Sequence, residues 1–129
     1  MKLSLRSEYA LLTLIHLARN RGTALQSEIT STQQIPAEPL AEILVVLKRS
    51  EYLEQVGECF KLVKRANDIS VAEIIRLFDG ALAPTESVSE NFYESTPIEK
   101  EKSLTAVFRD IRDYVSLKLE STTIADVMD

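Results

Sequence analysis

The order of hydrophobic patterns in the first half of the chain constrains the fold most: three helical stripes in succession, then two short β-prone runs joined by a glycine. Residues 6 to 20 place Leu11, Leu14, Ile15 and Ala18 at helical spacing with further apolar residues alongside, which predicts a helix buried on more than one side and stopped by Gly22. Residues Leu25 to Thr32 read as a second, shorter helix with Leu25 and Ile29 facing inward, and Gln33-Gln34-Ile35-Pro36 as the turn after it. Pro36 and Pro39 fall in or just before the first turn of a third helix, where a missing N–H costs little. Leu40, Ile43, Leu44 and Leu47 complete its i, i+3, i+4, i+7 stripe, which ends near Ser50. The β-prone runs are Tyr52 to Val56 and Cys59 to Val63, and Gly57 at the first turn position between them suits a type II′ hairpin.

In the second half, Ser70 followed by Glu73 forms a capping box that opens an amphipathic helix through Ile74, Ile75, Leu77 and Phe78, closed by Gly80. Residues 81 to 97 are polar, contain Pro84 and Pro97, and read as a loop. From Ile98 to Glu120 the apolar positions Leu104, Val107, Phe108, Ile111, Tyr114 or Val115, and Leu119 recur at helical spacing. Thr123 and Asp126 cap a short end piece, Ile124 to Met128. The predicted fold is mainly α with a small β-hairpin wing. It is a winged helix-turn-helix head over residues 1–82, a polar loop over 83–97, and over 98–129 a long helix that needs a partner surface, followed by a short terminal helix.

Composition narrows the function classes. With 129 residues and 45% apolar side chains the chain can bury one domain core. A single cysteine, Cys59, rules out a disulfide framework or a cysteine metal cage within one chain. The run Tyr9 to Ala18 contains His16 and leads into Arg19-Asn20-Arg21 without a cleavage pattern, and no segment approaches the ~20 apolar residues of a membrane span, so a cytoplasmic location without membrane contact is expected. His16 is the only histidine and is expected on the exposed side of the first helix. Without a second histidine or thiol at ligand spacing, or a glycine-rich phosphate loop, neither metal nor nucleotide chemistry has a site; no enzyme, metal or cofactor is expected.

The net charge of −5 is unevenly spread: residues 1 to 65 hold nine Lys/Arg against seven Asp/Glu, and residues 66 to 129 hold six against thirteen. An acidic back half can point away from a duplex, although the basic footprint of the front half is thin. The element order by itself also describes a compact scaffold or a protein-binding module.

Particular residues carry more. Met1-Lys-Leu-Ser-Leu-Arg-Ser-Glu-Tyr-Ala-Leu11, Ser27-Glu-Ile29, Ile35-Pro36, Leu40 with Ile43, Leu47-Lys-Arg49, Ile69-Ser-Val-Ala-Glu-Ile-Ile75 through Asp79-Gly80, Leu82-Ala-Pro84 and Thr123-Ile-Ala-Asp-Val127 resemble the Rrf2 family of IscR-, NsrR- and CymR-type regulators almost end to end. The resemblance implies a homodimer in which the long helix crosses its twin and two heads meet adjacent major grooves of a pseudo-palindromic double-stranded DNA operator. Leu104, Val107, Phe108, Ile111, Val115 and Leu119 would form the dimer contact; the same stripe could instead pack on its own domain. DNA contacts are implied at Arg6 and Tyr9, at Gln26, and over Pro36, Ala37, Glu38 and on to Glu42. Lys48, Arg49, Lys61, Lys64 and Arg65 are phosphate candidates on charge alone. Tyr9 could simply fill the core, and surface Lys or Arg could be merely solvated.

Three departures from the family stand out. Cluster-binding relatives hold iron and sulfur through three cysteines after the Leu-Ala-Pro segment; here Ser87 stands at the first of these positions, and no iron–sulfur cluster is expected. Glu8, near a place where some relatives offer a carboxylate ligand, cannot hold a cluster alone, and Cys59 is expected to be buried or else an exposed redox thiol. The wing is short, with Glu58 rather than an arginine at its tip. Pro39, Ala41 and Gln34 replace the usual aromatic residue, glutamate and turn glycine. The expected function is a cluster-free dimeric transcription regulator, a repressor, that answers to a small molecule near the polar loop, to a partner protein, or to no effector at all. The alternative is a dimeric protein-interaction module that kept the scaffold and lost operator binding.

Overall fold

The computed structural model describes residues 2–80 and 95–129, so most of the expected loop over 83–97, Ser87 included, lies outside the described residues. The first helix, α1 (Leu5–Arg19), begins at Ser4, whose Oγ accepts the N–H of Ser7 at 3.1 Å. It ends through Asn20, and Gly22 takes the chain onward at φ +85°, a conformation open to glycine without strain. There follow β1 (Thr23–Leu25), α2 (Gln26–Gln33), α3 (Ala37–Arg49), β2 (Leu53–Val56) and β3 (Cys59–Leu62).

The three strands form one antiparallel sheet in the order β1-β3-β2, with Ala24 and Gln55 both paired to Phe60. Here the structure departs from expectation, because Leu25 does not open the second helix but pairs with Cys59 as the last residue of a strand. The free edge of β3 leaves backbone N–H and C=O groups without partners, and Thr23–Leu25 satisfies them. At the hairpin tip Gly57 alone of the two turn residues has positive φ, +63°, as a II′ turn requires.

The core lies where α1, α2 and α3 meet the sheet. Leu14, Leu17, Ile29, Leu40, Ile43, Leu44, Leu47, Leu53 and Phe60 are buried there, joined from later in the chain by Ile69, Ile74 and Ile124. Because α1 packs against α3 and also against the later helices, both of its flanks are covered. That corrects the expectation for His16, which is buried at 9% exposure with its Nε2 unpartnered.

The next helix, α4 (Val71–Asp79), is opened by the expected capping box: Ser70 Oγ accepts the Glu73 N–H at 3.1 Å and Glu73 Oε2 accepts the Ser70 N–H at 2.9 Å. Glu73 does more than cap, because its Oε1 accepts the hydroxyl proton of Tyr52 at 2.5 Å while the Lys64 ammonium lies 4.2 Å from the centre of the Tyr52 ring. Burial and then the Glu73 hydrogen bond push the Tyr52 phenol up. Burial also works to raise Glu73, but the bonds from Tyr52 and Ser70 outweigh it and hold the carboxyl below its ordinary value. At the other end of α4, Asp79 accepts the Ser4 N–H at 3.0 Å and the buried Ser7 hydroxyl at 2.7 Å. Those bonds and the nearby Arg6 overcome desolvation and lower its carboxyl too.

A 3₁₀ turn over Pro97–Lys100 precedes α5 (Lys102–Glu120), so the helix expected from Ile98 starts later as regular α-helix. At its far end Leu119 packs against Ala72 and Ile75 of α4, and Arg76 pairs with Glu120. The chain then returns to the head. Val71 N–H donates to Thr122 O at 2.8 Å, Ile124 N–H donates to Ile69 O at 2.9 Å, and Ser70 and Thr123 form an antiparallel bridge. The last helix, α6 (Ile124–Val127), carries the expected Thr123/Asp126 cap, and Arg19 grips the carbonyl oxygens of Met128 and Asp129. Among the described residues no helix is long and apolar enough to cross a membrane.

Candidate nucleic-acid interface

α2, the bend at Gln34 and α3 make a helix-turn-helix. Gln34 takes the left-handed conformation, φ +56°, and Pro36 then leads into α3. Leu40, Ile43, Leu44 and Leu47 occupy the inward stripe at 0–2% exposure. The 3.6-residue repeat therefore turns Pro36, Ala37, Glu38, Ala41, Glu42, Val45, Lys48 and Arg49 outward, and all of them are exposed. Gln26 Nε2 donates to Ala37 O at 3.1 Å, fixing the start of α2 against the start of α3. At the other end Lys48 Nζ reaches Gln55 Oε1 of β2 at 3.5 Å.

Between α3 and the sheet lies a cleft of about 190 Å³ lined by Ala41, Val45, Lys48, Gln55 and Phe60, with Gln26 at one side. Gln26, Pro36, Ala37, Glu38, Glu42, Lys48 and Arg49 thus share α3 and its border. Lys61 stands exposed on β3, opposite Glu54 in the register, and Glu58 is exposed at the wing tip. Arg6 and Tyr9 belong elsewhere in the head: the Arg6 guanidinium lies 5.3 Å from the Phe78 ring of α4, and Tyr9 is half-buried against the core. Cys59 is half-buried rather than enclosed.

Sequence reasoning missed Val45, which is 54% exposed. Its signal was available, since a valine lying off the Leu40-Ile43-Leu44-Leu47 stripe of an amphipathic helix has no core to enter. The charge of the outward face is divided, with Glu38 and Glu42 in the first half of α3 and Lys48 and Arg49 in its last turn. That distribution suits the helix dipole whatever else it does.

The second candidate surface is α5. Leu104, Val107 and Ile111 are 43–51% exposed, Phe108 and Val115 are half-buried, and Leu119 faces its own head. Tyr114 and Leu117 are more exposed still, and Leu117 was not foreseen.

A helix-turn-helix backed by a three-strand sheet with a hairpin wing defines the protein as a winged-helix regulator. Residues 3–129 match the Rrf2 family, described as iron-dependent transcriptional regulators, and the chain belongs to that family. It is 31% identical over 135 residues to an HTH-type transcriptional regulator of Mycobacterium tuberculosis, covering 98% of this chain and 81% of the relative. It is 26% identical over 133 residues to the HTH-type transcriptional regulator CymR of Bacillus subtilis, covering 98% and 89%. The solved structure of CymR, the global cysteine regulator of B. subtilis, superposes with a TM-score of 0.83 at 23% identity, over 99% of this chain and 96% of that one. The T. potens IscR structure superposes with a TM-score of 0.74 at 19% identity, over 99% and 86%. The relatives are transcriptional regulators, not enzymes.

Proposed function

We propose that the chain is a homodimeric repressor that binds a pseudo-palindromic DNA operator through α3 and works without an iron–sulfur cluster. The carrying observation is the outward face of α3, exposed from Ala37 to Arg49 beside the hairpin, the arrangement by which a winged helix enters a major groove. Residues 1–82 form the DNA-binding head, and 98–129 supply the dimer contact through Leu104, Val107, Phe108, Ile111 and Val115. Lys48, Arg49 and Lys61 serve phosphates, and Arg6, Tyr9 and Gln26 border the duplex.

The residues do not fit a cluster. Iron–sulfur centres need several thiolates, and the single thiol, Cys59, lies half-buried in the strand β3. Among the described residues no group of three His, Cys, Asp or Glu could hold a metal ion. Protein purified without oxygen should be colourless and free of iron; a brown preparation with stoichiometric iron would sink this part.

The acidic tip at Glu58, with Glu38 and Glu42 on α3, favours a second reading, a protein-interaction module on the same scaffold. Titration onto the DNA upstream of its own gene at several salt concentrations separates the two. A DNA-binding dimer loses affinity steeply with salt, and Arg49→Ala should flatten the log–log slope by about one. Absence of any sequence preference at low salt would select the interaction module.

A further inference from the structure

Resting on the reading that α3 enters the major groove, we infer that it reads cytosine through Glu38 and Glu42 and thymine methyls through Ala41 and Val45. Each half-site is then pyrimidine-rich on the strand facing α3. From Pro36 to Val45 the exposed side chains of this face are Pro36, Ala37, Glu38, Ala41, Glu42 and Val45, and none of them carries a hydrogen-bond donor. Guanine is read by Arg or Lys donors at N7 and O6, and adenine by the paired donor and acceptor of Asn or Gln, so this stretch can make neither pairing. The first donors on this face come only at Lys48 and Arg49.

A carboxylate accepts only, and near phosphates it is repelled. Among the described residues the side chains of Glu38 and Glu42 have no hydrogen-bond or ion-pair partner, so both carboxylates are open to a ligand. At a groove floor their complement is the exocyclic amino group of cytosine. Adenine also offers an amino group, but its N7 acceptor sits beside it and opposes the second carboxylate oxygen. Four residues advance an α-helix by ~6 Å, and a strand of duplex advances ~3.4 Å per base. Glu38 and Glu42 therefore address cytosines about two steps apart. Ala41 and Val45 lie beside them at the lip of the cleft floored by Phe60, an apolar margin that suits a thymine methyl. The two glutamates act as a filter: they hold the head off unrelated DNA and are satisfied only where amino groups meet them.

The test is selection from a randomised duplex library at low salt with the 129-residue chain and with its Glu38→Ala and Glu42→Ala variants. Two cytosines about two steps apart should be enriched in each half-site. Each variant should lose roughly tenfold discrimination at one of the two and bind unrelated duplex as well as the parent or better. Replacing the selected cytosine by 2-pyrimidinone, which lacks the amino group, should weaken the parent roughly tenfold and leave the matching variant unchanged. A half-site that is selected but unaltered in both variants overturns the inference while DNA binding stands. A parent that enriches nothing removes DNA binding as well.

Discussion

α3 and α5 follow the same helical repeat and meet opposite fates. The apolar stripe of α3 is 0–2% exposed, whereas Leu104, Val107 and Ile111 on α5 are 43–51% exposed and Tyr114 and Leu117 reach 71%. Along α5 only Thr105 is buried, its hydroxyl donating to the carbonyls of Ile98 and Glu101 at 2.9 Å each. The head therefore completes its own core, while the arm carries apolar surface that its own described residues do not cover. Burial yields ~25 cal/mol per Å² of apolar surface, so a second copy crossing α5 gains by covering that face. One helix is explained by the domain it sits in; the proposed dimer would explain the other.

If the head is self-sufficient, the largest effect of a single change belongs to its core. Leu44→Ala should cost about 2–5 kcal/mol in urea denaturation, and a loss near zero would mean that this core is not what holds the head. The arm should answer differently. Ile111→Asp should halve the mass seen by light scattering and remove the protein-concentration dependence of the urea midpoint. It should also weaken binding to a two-half-site duplex about 100-fold while a single half-site is little affected. An unchanged mass would reassign the exposed face.

A smaller effect falls on the seam between α1 and α4. Asp79→Ala should cost about 1–2 kcal/mol, because it strips partners from the Ser4 amide and the buried Ser7 hydroxyl. Since the folded carboxyl lies below its ordinary 3.8, its contribution is fully present above that value and is lost as pH falls through the folded value. The variant should therefore lose part of the acid limb of its stability curve, and an acid limb identical to the parent's would contradict the lowered value. Smallest is Gln34→Gly, which relieves a left-handed residue in the helix-turn-helix and should add about 1 kcal/mol without changing the arm.

Much of the head was legible because its signals are local. The stripe of α3, the Ser70/Glu73 and Thr123/Asp126 caps and the Gly57 turn each lie within a few residues and were read at the right places. What escaped depends on partners distant in sequence. Thr23–Leu25 has no alternation that marks a strand; it is one because β3, far along the chain, offers an open edge. His16 reads as polar on a helix whose second flank is covered only by elements far along the chain, α4 and α6. Glu73 is legible as a cap, while Tyr52, read as the start of a strand, lies just before β2; their hydrogen bond spans 21 residues and follows from packing alone. Of the candidate interface, the outward positions of α3 could be inferred from its stripe, whereas the cleft beside Val45 needs the sheet to exist.

The stitch at Ser70 and Thr123 has a mechanical meaning. The polypeptide leaving α5 does not reach the head through a slack tether. It is clamped by paired backbone bonds at residues 69–71 and 122–124, with Leu119 wedged just before. If those contacts hold, twisting α5 torques α4 directly. If two such chains are joined through α5, the gap between their heads is set by the protein's own stiffness, like the jaws of a gauge. A duplex with half-sites moved by even a base pair would then have to deform to be held.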